Sequence, residues 1–295
     1  ADGDYAVPHA SDLEYRPVPL PPMVDDTWIA PVAPTGGLWS TAREMAAYLK
    51  MELAHGLAPD GERVVSSDNL DATWQPGVPM NFGDTAPALF MAATSAYGLA
   101  WETGSYGGLR LVSHPGLTYG FNALISMLPD AGLGIVTLTN RDGAGYKLML
   151  ALQFRLFELV FAQQSIIDPM MDAALISDAE ARAALPDQLA QLDDAVVTPY
   201  LGDYANPALG SMNLRLQDGE LIFATGGMHS ALLPLKGDIT EYIFGDPPWA
   251  SNPPVHKVSL RTGTDRQPEV AITIPGDGDE GLITYVYSRR AATAA

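Results

Sequence analysis

Residues Leu109–Asn140 read LRLVSHPGLTYGFNALISMLPDAGLGIVTLTN, and this stretch decides the fold. Its opening, Leu109–Ser113, has the period of an amphipathic strand. Two apolar runs follow, Phe121–Leu128 and Leu133–Thr139, on either side of Pro129-Asp130-Ala131-Gly132. That tetrapeptide is turn chemistry, because Pro presets its own φ and Gly tolerates a left-handed backbone. The two runs therefore predict a hairpin, and their nearly continuous apolar character predicts central strands covered on both faces. Between the first strand and the hairpin stand His114, Pro115 and Gly116. Pro has no N–H for the ladder, which places this stretch at a sheet edge or a strand rim. Gly116 lacks a side chain where something approaches the backbone closely. An edge strand with free N–H groups beside a His can hold a carbonyl oxygen and offer a proton. A His that only caps the strand end before a turn is the competing reading.

Working toward the N-terminus, Tyr97–Glu102 reads as a strand paired with Leu109–Ser113 around a Gly104–Gly108 turn. Residues 77–94, rich in Gly, Pro and Met, read as loop. Ser67–Trp74 is predicted helical and stopped by Pro76. Thr41-x-x-Glu44 has the form of a capping box, with Ser40 as an alternative cap. Met45, Tyr48, Leu49 and Leu53 then recur at helical spacing, and Gly56 terminates the run. Residues 1–35, with Pro17, Pro19, Pro21, Pro22, Pro31 and Pro34, predict an irregular segment lying over something else.

Toward the C-terminus, Gly145–Gln163 is apolar almost all round and predicts a long helix sandwiched against the sheet. Residues 164–198 read as a connector with a helical piece, Ser177-x-x-Glu180 offering a capping box and Pro186 interrupting the pattern. From Tyr200 short β runs recur: Met212–Gln217, Leu221–Ala224, Ala231–Leu235, Glu241–Phe244, Val255–Thr262, Glu269–Ile274 and Ile283–Arg289. Asp218-Gly219, Lys236-Gly237-Asp238 and Asp277-Gly278 separate some of them. Such a series predicts a small antiparallel barrel or sandwich.

The bulk composition narrows the partners. Among 295 residues there are 35 Asp and Glu against 16 Lys and Arg, a net charge of -19. That surface repels nucleic acid phosphates and anionic lipid heads, so neither is expected as a partner. With no cysteine, disulfides, thiol catalysis and thiolate metal sites are excluded. No apolar run approaches the ~20 residues of a membrane span. The start, Ala1-Asp2-Gly3-Asp4, is read as a cut end. Absence of Cys fits periplasm, exterior or cytosol alike; the reading leans to a periplasmic or secreted protein.

Four stretches, in order, resemble one family. Ala33-Pro34-Thr35-Gly36-Gly37-Leu38-Trp39-Ser40-Thr41-Ala42-Arg43-Glu44-Met45 resembles the signature PAGGL-x-ST-x-x-DM of serine β-lactamase-like enzymes. Tyr97-Gly98-Leu99-Ala100-Trp101 resembles their YGLGW strand. His114-Pro115-Gly116 resembles their third active-site motif, Lys-Thr-Gly, in its His-x-Gly form. Gly120-Phe121, Leu128-Pro129 and Leu138-Thr139-Asn140 match the hairpin that follows. The group is that of class C β-lactamases, penicillin-binding proteins, D-aminopeptidases and related esterases. Tyr200-Leu201-Gly202-Asp203-Tyr204 is similar, more weakly, to the opening of a lipocalin-like β domain that some members carry.

The resemblance implies an α/β (α+β) sheet flanked by helices, here lacking its N-terminal part, followed by a small antiparallel β-barrel. The division it implies is 1–165 for the C-terminal portion of the catalytic domain, 166–198 for a linker with a helix, and 199–290 for the barrel. It implies acyl transfer: a Ser in Ser-x-x-Lys attacks a carbonyl, and a Tyr in Tyr-x-Asn assists. It makes His114 the catalytic candidate, in the place of the motif's Lys, orienting substrate and supporting that Tyr. Pro115, Gly116, Leu117 and Tyr119 would line the site, with the Leu117 N–H as one oxyanion donor. No metal or organic cofactor is implied.

The departure from the family is as definite. No Ser in the chain stands three residues before a Lys; Ser40 has Arg43 there. Tyr-x-Asn is read as absent as well. Ser-x-x-Lys and Tyr-x-Asn are therefore expected from a missing or separate N-terminal chain, acting on a small-molecule or peptide substrate. A non-catalytic binding protein of the same fold is the alternative, and a module whose β domain holds a lipophilic ligand is a third. Other polar residues read as structural: Asp2, Asp4 and His9 as an acidic end, His55 as a helix C-terminal cation, His229 and His256 as barrel residues. Asp246-Pro247-Pro248-Trp249 reads as a rigid barrel loop packing Trp249.

Overall fold

The computed structural model describes residues 5–20, 33–80, 93–250, 256–275 and 281–290. They form two compact units: residues up to His9 with Pro19–Met171, and Ala10–Val18 with Asp172 onward. Strands β1 (His9–Ser11) and β2 (Pro17–Pro19) make a short ribbon.

The first unit holds a six-stranded sheet, described along the chain as β3 (Val78–Pro79), β4 (Thr94–Tyr97), β5 (Glu102–Tyr106), β6 (Leu109–Thr118), β7 (Phe121–Leu128) and β8 (Leu133–Thr139). Neighbours in sequence are neighbours in the sheet, and the described pairs are antiparallel. The β7–β8 hairpin turns over Pro129–Ala131 and Gly132, whose φ of 61° is the left-handed value a Gly accepts freely. Among the described residues the unit also holds helices α1 (Ala33–Gly36), α2 (Ala42–Leu53), α3 (Ser67–Thr73) and α4 (Ala144–Val160).

Alternation along the strands sorts the core into two layers. Val112, Met127, Ile125 and Val136 meet Leu49 of α2, with Leu70, Trp74 and Trp101. Leu111 and Leu128 meet Phe154 and Phe157 of α4. The α2 cap is the expected box: Thr41 Oγ1 accepts from the Glu44 N–H at 3.2 Å, and the Glu44 carboxylate accepts from the Thr41 N–H at 2.9 Å. Gly134 lets α2 sit close on β8, since a Cβ there would lie 2.8 Å from Leu49 Cδ2.

Several expectations are corrected. Tyr97–Glu102 is not one strand; the chain reverses between β4 and β5, where Gly98 N–H donates to the Trp101 carbonyl at 2.7 Å and Ala100 takes φ 64°. The Gly104–Gly108 turn shrinks to Gly107-Gly108, and Gly104 lies inside β5 because a Cβ there would meet the Ala93 carbonyl oxygen at 1.8 Å. The loop over 77–94 contributes β3 and the start of β4. β8 is an edge of the described sheet, not a central strand. Helix α4 is covered on one face only: Met149, Phe154 and Phe157 are buried, while Leu148, Leu152 and Leu159 are exposed. Apolar composition all round did not mean burial all round.

Helix α5 (Ile167–Gln188) runs ten residues ahead of the Ser177 box, which lies inside it. Its true start is set by Glu158, whose carboxylate accepts from the Ile166 and Ile167 N–H groups at 2.6 and 2.9 Å, and by Ser165, which caps Asp168. Pro186 sits in the last turn, so the one i→i−4 hydrogen bond that its missing N–H removes lies at the very end of the helix.

In the second unit, helix α6 (Asp194–Val197) and the turn Thr198–Tyr200 lead into a closed antiparallel barrel. Its strands are β9 (Gly202–Asn206), β10 (Gly210–Gln217), β11 (Glu220–Thr225), β12 (Met228–Pro234), β13 (Glu241–Phe244), β14 (Lys257–Thr262), β15 (Pro268–Pro275) and β16 (Leu282–Arg289). β16 closes onto β9 through Ser288↔Ala205 and Arg289↔Tyr204. Asp218-Gly219 makes the expected tight hairpin, with φ of 52° and 85°. Asp277-Gly278 lies outside the described residues.

A candidate active-site wall

Strand β6 is paired on both sides only over its first half. β5 covers Leu109–Ser113, its last partner being Glu102 opposite Ser113. β7 covers Val112–Thr118 on the other side. From His114 to Thr118 one side of β6 therefore has no partner strand among the described residues. This answers the edge placement: the strand is interior in the sheet order, yet its motif half offers a free edge. Pro115 is accommodated there, paired with Leu124 of β7.

His114 follows Val112 on the α2 side of the sheet and is half-buried. Its Nε2 lies 2.9 Å from the Tyr97 hydroxyl, and the two rings meet edge to face with centroids 5.8 Å apart. Gly116 and Leu117 are exposed on the free half, Leu117 at 65%. Among the described residues a Cβ on Gly116 would meet Ala123 alone, its Cβ at 3.6 Å and its carbonyl oxygen at 3.9 Å, both ordinary contacts, and its φ is not left-handed. Neither backbone conformation nor packing among the described residues requires glycine there. Tyr119 occupies the β6–β7 turn with Gly120, and burial raises its hydroxyl pKa. Gly120 takes φ 68°, and the N-terminal segment crosses it closely: a Cβ would lie 2.7 Å from Pro8. The structure thus brings His114, Pro115, Gly116 and Leu117 onto one strand, with Tyr119 at its end.

Two residues escaped the sequence reading. Tyr97 reads in the sequence as part of a strand motif; only the β4–β5 hairpin, which sets Tyr97 opposite Glu102 and Glu102 opposite Ser113, reveals it as the partner of His114. Glu102 stands opposite Ser113, which stands opposite Ser126, and the three are buried side by side. Burial pushes the Glu102 carboxyl up to about 7, and its Oε2 has no hydrogen-bond partner among the described residues. Tyr146 on α4 is raised by burial first and by the Glu102 charge second. An unpaired buried carboxylate leaves no mark in sequence, since the same Glu on an exposed strand would read identically.

The remaining polar candidates have structural partners. His9 Nδ1 lies 2.8 Å from the Val7 carbonyl, and its backbone bridges to Arg141; Asp2 and Asp4 lie outside the described residues. His55 pairs with Asp71 at 2.7 Å. Trp249 packs edge-on against Phe223 in the barrel. The expected absence of Tyr-x-Asn is corrected: one such triplet occurs, Tyr204-Ala205-Asn206. It lies in β9, with Tyr204 buried and its hydroxyl donating to the Tyr200 carbonyl at 2.6 Å. Among the described residues no three His, Asp or Glu side chains gather as metal ligands, and no helix is long and apolar enough to cross a membrane.

The beta-lactamase family model matches residues 2–154, just over half of the sequence and all of the described sheet. The chain belongs to the beta-lactamase family. Two curated relatives match about half of the chain each. Unguisins hydrolase ungD' of Aspergillus campestris is 28% identical over 144 residues, 49% of this chain and 24% of that protein. Penicillin-binding protein 4 of Amycolatopsis lactamdurans is 28% identical over 135 residues, 46% of this chain and 33% of that protein. Among solved structures, an octameric penicillin-binding protein homologue from Pyrococcus abyssi covers 98% of this chain with 54% of its own, at 15% identity and a TM-score of 0.41. SurE covers 85% of this chain with 48% of its own, at 15% identity and a TM-score of 0.33. The matches to the two curated relatives thus span a third or less of their length.

Proposed function

We propose that this chain supplies the sheet-side wall of an acyl-transfer site in a serine hydrolase. Its substrate carries an ester or amide carbonyl, as in a small ester, a D-amino acid peptide, a lactam or a lactone. The observation that carries the reading is the edge of β6 at Gly116 and Leu117, which has no partner strand, and at Gly116 no packing need for glycine, among the described residues. Membership of the beta-lactamase family, and relatives named as a hydrolase and a penicillin-binding protein, support the same class of chemistry.

In the proposed reaction a serine hydroxyl attacks the carbonyl carbon, and the lysine of its Ser-x-x-Lys motif takes the proton. The N–H of Leu117 and that of the serine hold the tetrahedral oxyanion; losing one such donor costs ~10²–10³ in rate. Collapse expels the alcohol or amine, which is protonated as it leaves, and water then hydrolyses the acyl-serine. His114, held by Tyr97, positions the substrate and supports the tyrosine of Tyr-x-Asn. Both of these motifs come, in this reading, from an N-terminal segment or a separate chain.

The test starts with a denaturing intact-mass spectrum. Material that contains a Ser-x-x-Lys segment is expected to hydrolyse p-nitrophenyl acetate and to take a fluorophosphonate label on that serine. Inertness of such material to both reagents overturns the reading. The second reading is a non-catalytic binding protein of the same fold, favoured by the absence of Ser-x-x-Lys from all 295 residues. It is the one left if a 31.4 kDa species is the only polypeptide and stays inert.

A further inference from the structure

Near the motif half of β6 stands an indole that the first unit does not bury. Trp39 is 67% exposed, Leu38 before it 83%, and Tyr5 beside it 44%. The Trp39 ring meets the Phe121 ring edge to face with centroids 5.4 Å apart, and the Tyr5 ring in the same manner at 6.2 Å. Lone exposed apolar residues are ordinary on a protein surface, but adjoining ones make a patch of the kind that marks a binding site. The segment that carries Trp39 is fixed at both ends. On one side the Gly37 N–H donates to the Ala33 carbonyl at 2.8 Å and closes α1, which lies against β6. On the other side the Thr41–Glu44 capping box starts α2.

We infer that Trp39 is the platform for an aromatic ring of the substrate, joined by a short tether to the carbonyl that is attacked; the word substrate rests on the acyl-transfer reading. Strand register places the platform. His114, Gly116 and Thr118 alternate onto the α2 face of the sheet, and Phe121 stands opposite Thr118 on that same face. The Phe121 ring that Trp39 meets is therefore on the face that carries His114, beyond Gly116 along the strand. Gly116 to Thr118 covers about 6.6 Å, and the step across to β7 about 4.8 Å. With the indole centred 5.4 Å from the Phe121 ring, it stands roughly 10 Å from the Gly116 backbone, within reach of a ring on a chain of about four bonds.

The contacts of Trp39 favour a ring over other apolar groups. Its two aromatic neighbours meet it at interplanar angles of 75° and 77°. Such edge contacts leave indole surface open, and a third ring can add to it by stacking or by its own edge. Burial of that surface adds to the ring contact. Tyr5, Leu38, Trp39 and Phe121 carry no charge, so the patch offers a neutral ring a surface that costs no desolvation of an ion.

Two measurements test this, and only one needs catalysis. In material that carries Ser-x-x-Lys, methyl 4-phenylbutyrate is compared with methyl butyrate, and 3-phenylpropyl acetate with propyl acetate, acid release being followed by titration. The ring is expected to raise kcat/KM about tenfold or more on one side of the carbonyl, and Trp39→Ala to cut that preference below about threefold, with Trp39→Phe between the two. In the 295-residue chain alone, labelled with 5-fluorotryptophan, the Trp39 fluorine signal is identified by its loss in Trp39→Phe. It is expected to shift saturably with 4-phenylbutyramide and to stay in place with butyramide and with tetramethylammonium. A Trp39 signal that does not move up to about 10 millimolar, or that moves equally with either ring-free probe, overturns the inference. So does active material with no preference for either ringed ester, the result expected if the segment carrying Ser-x-x-Lys covers Trp39. Inertness of that material toward p-nitrophenyl acetate sinks the acyl-transfer reading alone, and the fluorine titration then still decides whether Trp39 holds a ring.

Discussion

The Tyr97 hydroxyl holds Nε2 of His114 at 2.9 Å, joining the end of β4 to the half of β6 that has no β5 partner. A ring nitrogen engaged by a phenol has its tautomer and its plane set by that contact. Tyr97→Phe is therefore expected to free His114. Nitrogen-15 NMR of the imidazole should move from one dominant tautomer toward a mixture, with a stability loss of about 0.5–1.5 kcal/mol. An unchanged tautomer would mean that the hydrogen bond does not govern the ring.

Two glycines in adjacent strands separate fold from site. Gly104→Ala would drive a Cβ into the Ala93 carbonyl at 1.8 Å, and no side-chain motion relieves a backbone clash. A loss of at least about 2–3 kcal/mol is expected in denaturant unfolding. Among the described residues Gly116→Ala meets Ala123 alone, at 3.6 Å, and should shift stability by less than ~1 kcal/mol. In material carrying Ser-x-x-Lys, the same substitution should lower ester hydrolysis at least tenfold. Full activity in Gly116→Ala would remove the argument from the free edge.

Legibility in the sequence followed locality. The Thr41 box, the Pro129–Gly132 turn and the Asp218-Gly219 hairpin are each decided by residues within a few positions, and each stands as expected. What failed depended on distant partners. Gly104 looks like a turn residue until Ala93 is known to lie against it. Ser177 looks like a cap until Glu158, nine residues before Ile167, is seen to satisfy the first N–H groups of α5. At the candidate site, the His114 to Leu117 stretch was legible because its own residues carry it. Tyr97 and Glu102 were not, since only strand register puts them beside β6.

The buried Glu102 makes stability depend on pH in a stated direction. Its folded pKa, about 7, lies above the unfolded value near 4.5, because burial disfavours the charged form. Below pH ~4.5 both states are protonated and the residue is neutral to stability. As pH rises from about 4.5 to about 7 the unfolded state ionises first, so stability falls by on the order of 3 kcal/mol, and it levels off above that. Glu102→Gln should leave stability at pH 4.5 nearly unchanged and raise it at pH 8, measured by urea unfolding. Equal effects at the two pH values would show that Glu102 is already charged in the fold.

Glu158 carries the opposite sign. Burial alone would raise its pKa. Hydrogen bonds from the Ile167 and Ile166 N–H groups, from Ser165 and from Arg155 outweigh burial and hold the carboxyl below its usual range. Its stabilisation is therefore full above the unfolded pKa, near 4.5, and is lost as pH falls through the lower folded value. Glu158→Gln keeps the size but turns one acceptor oxygen into a donor facing N–H groups that need acceptors. It is expected to cost about 1–3 kcal/mol at pH 7 and progressively less in acid, with α5 amides Ile166 and Ile167 losing hydrogen-exchange protection first. Protection that survives at those two amides would mean that Ser165 alone starts the helix.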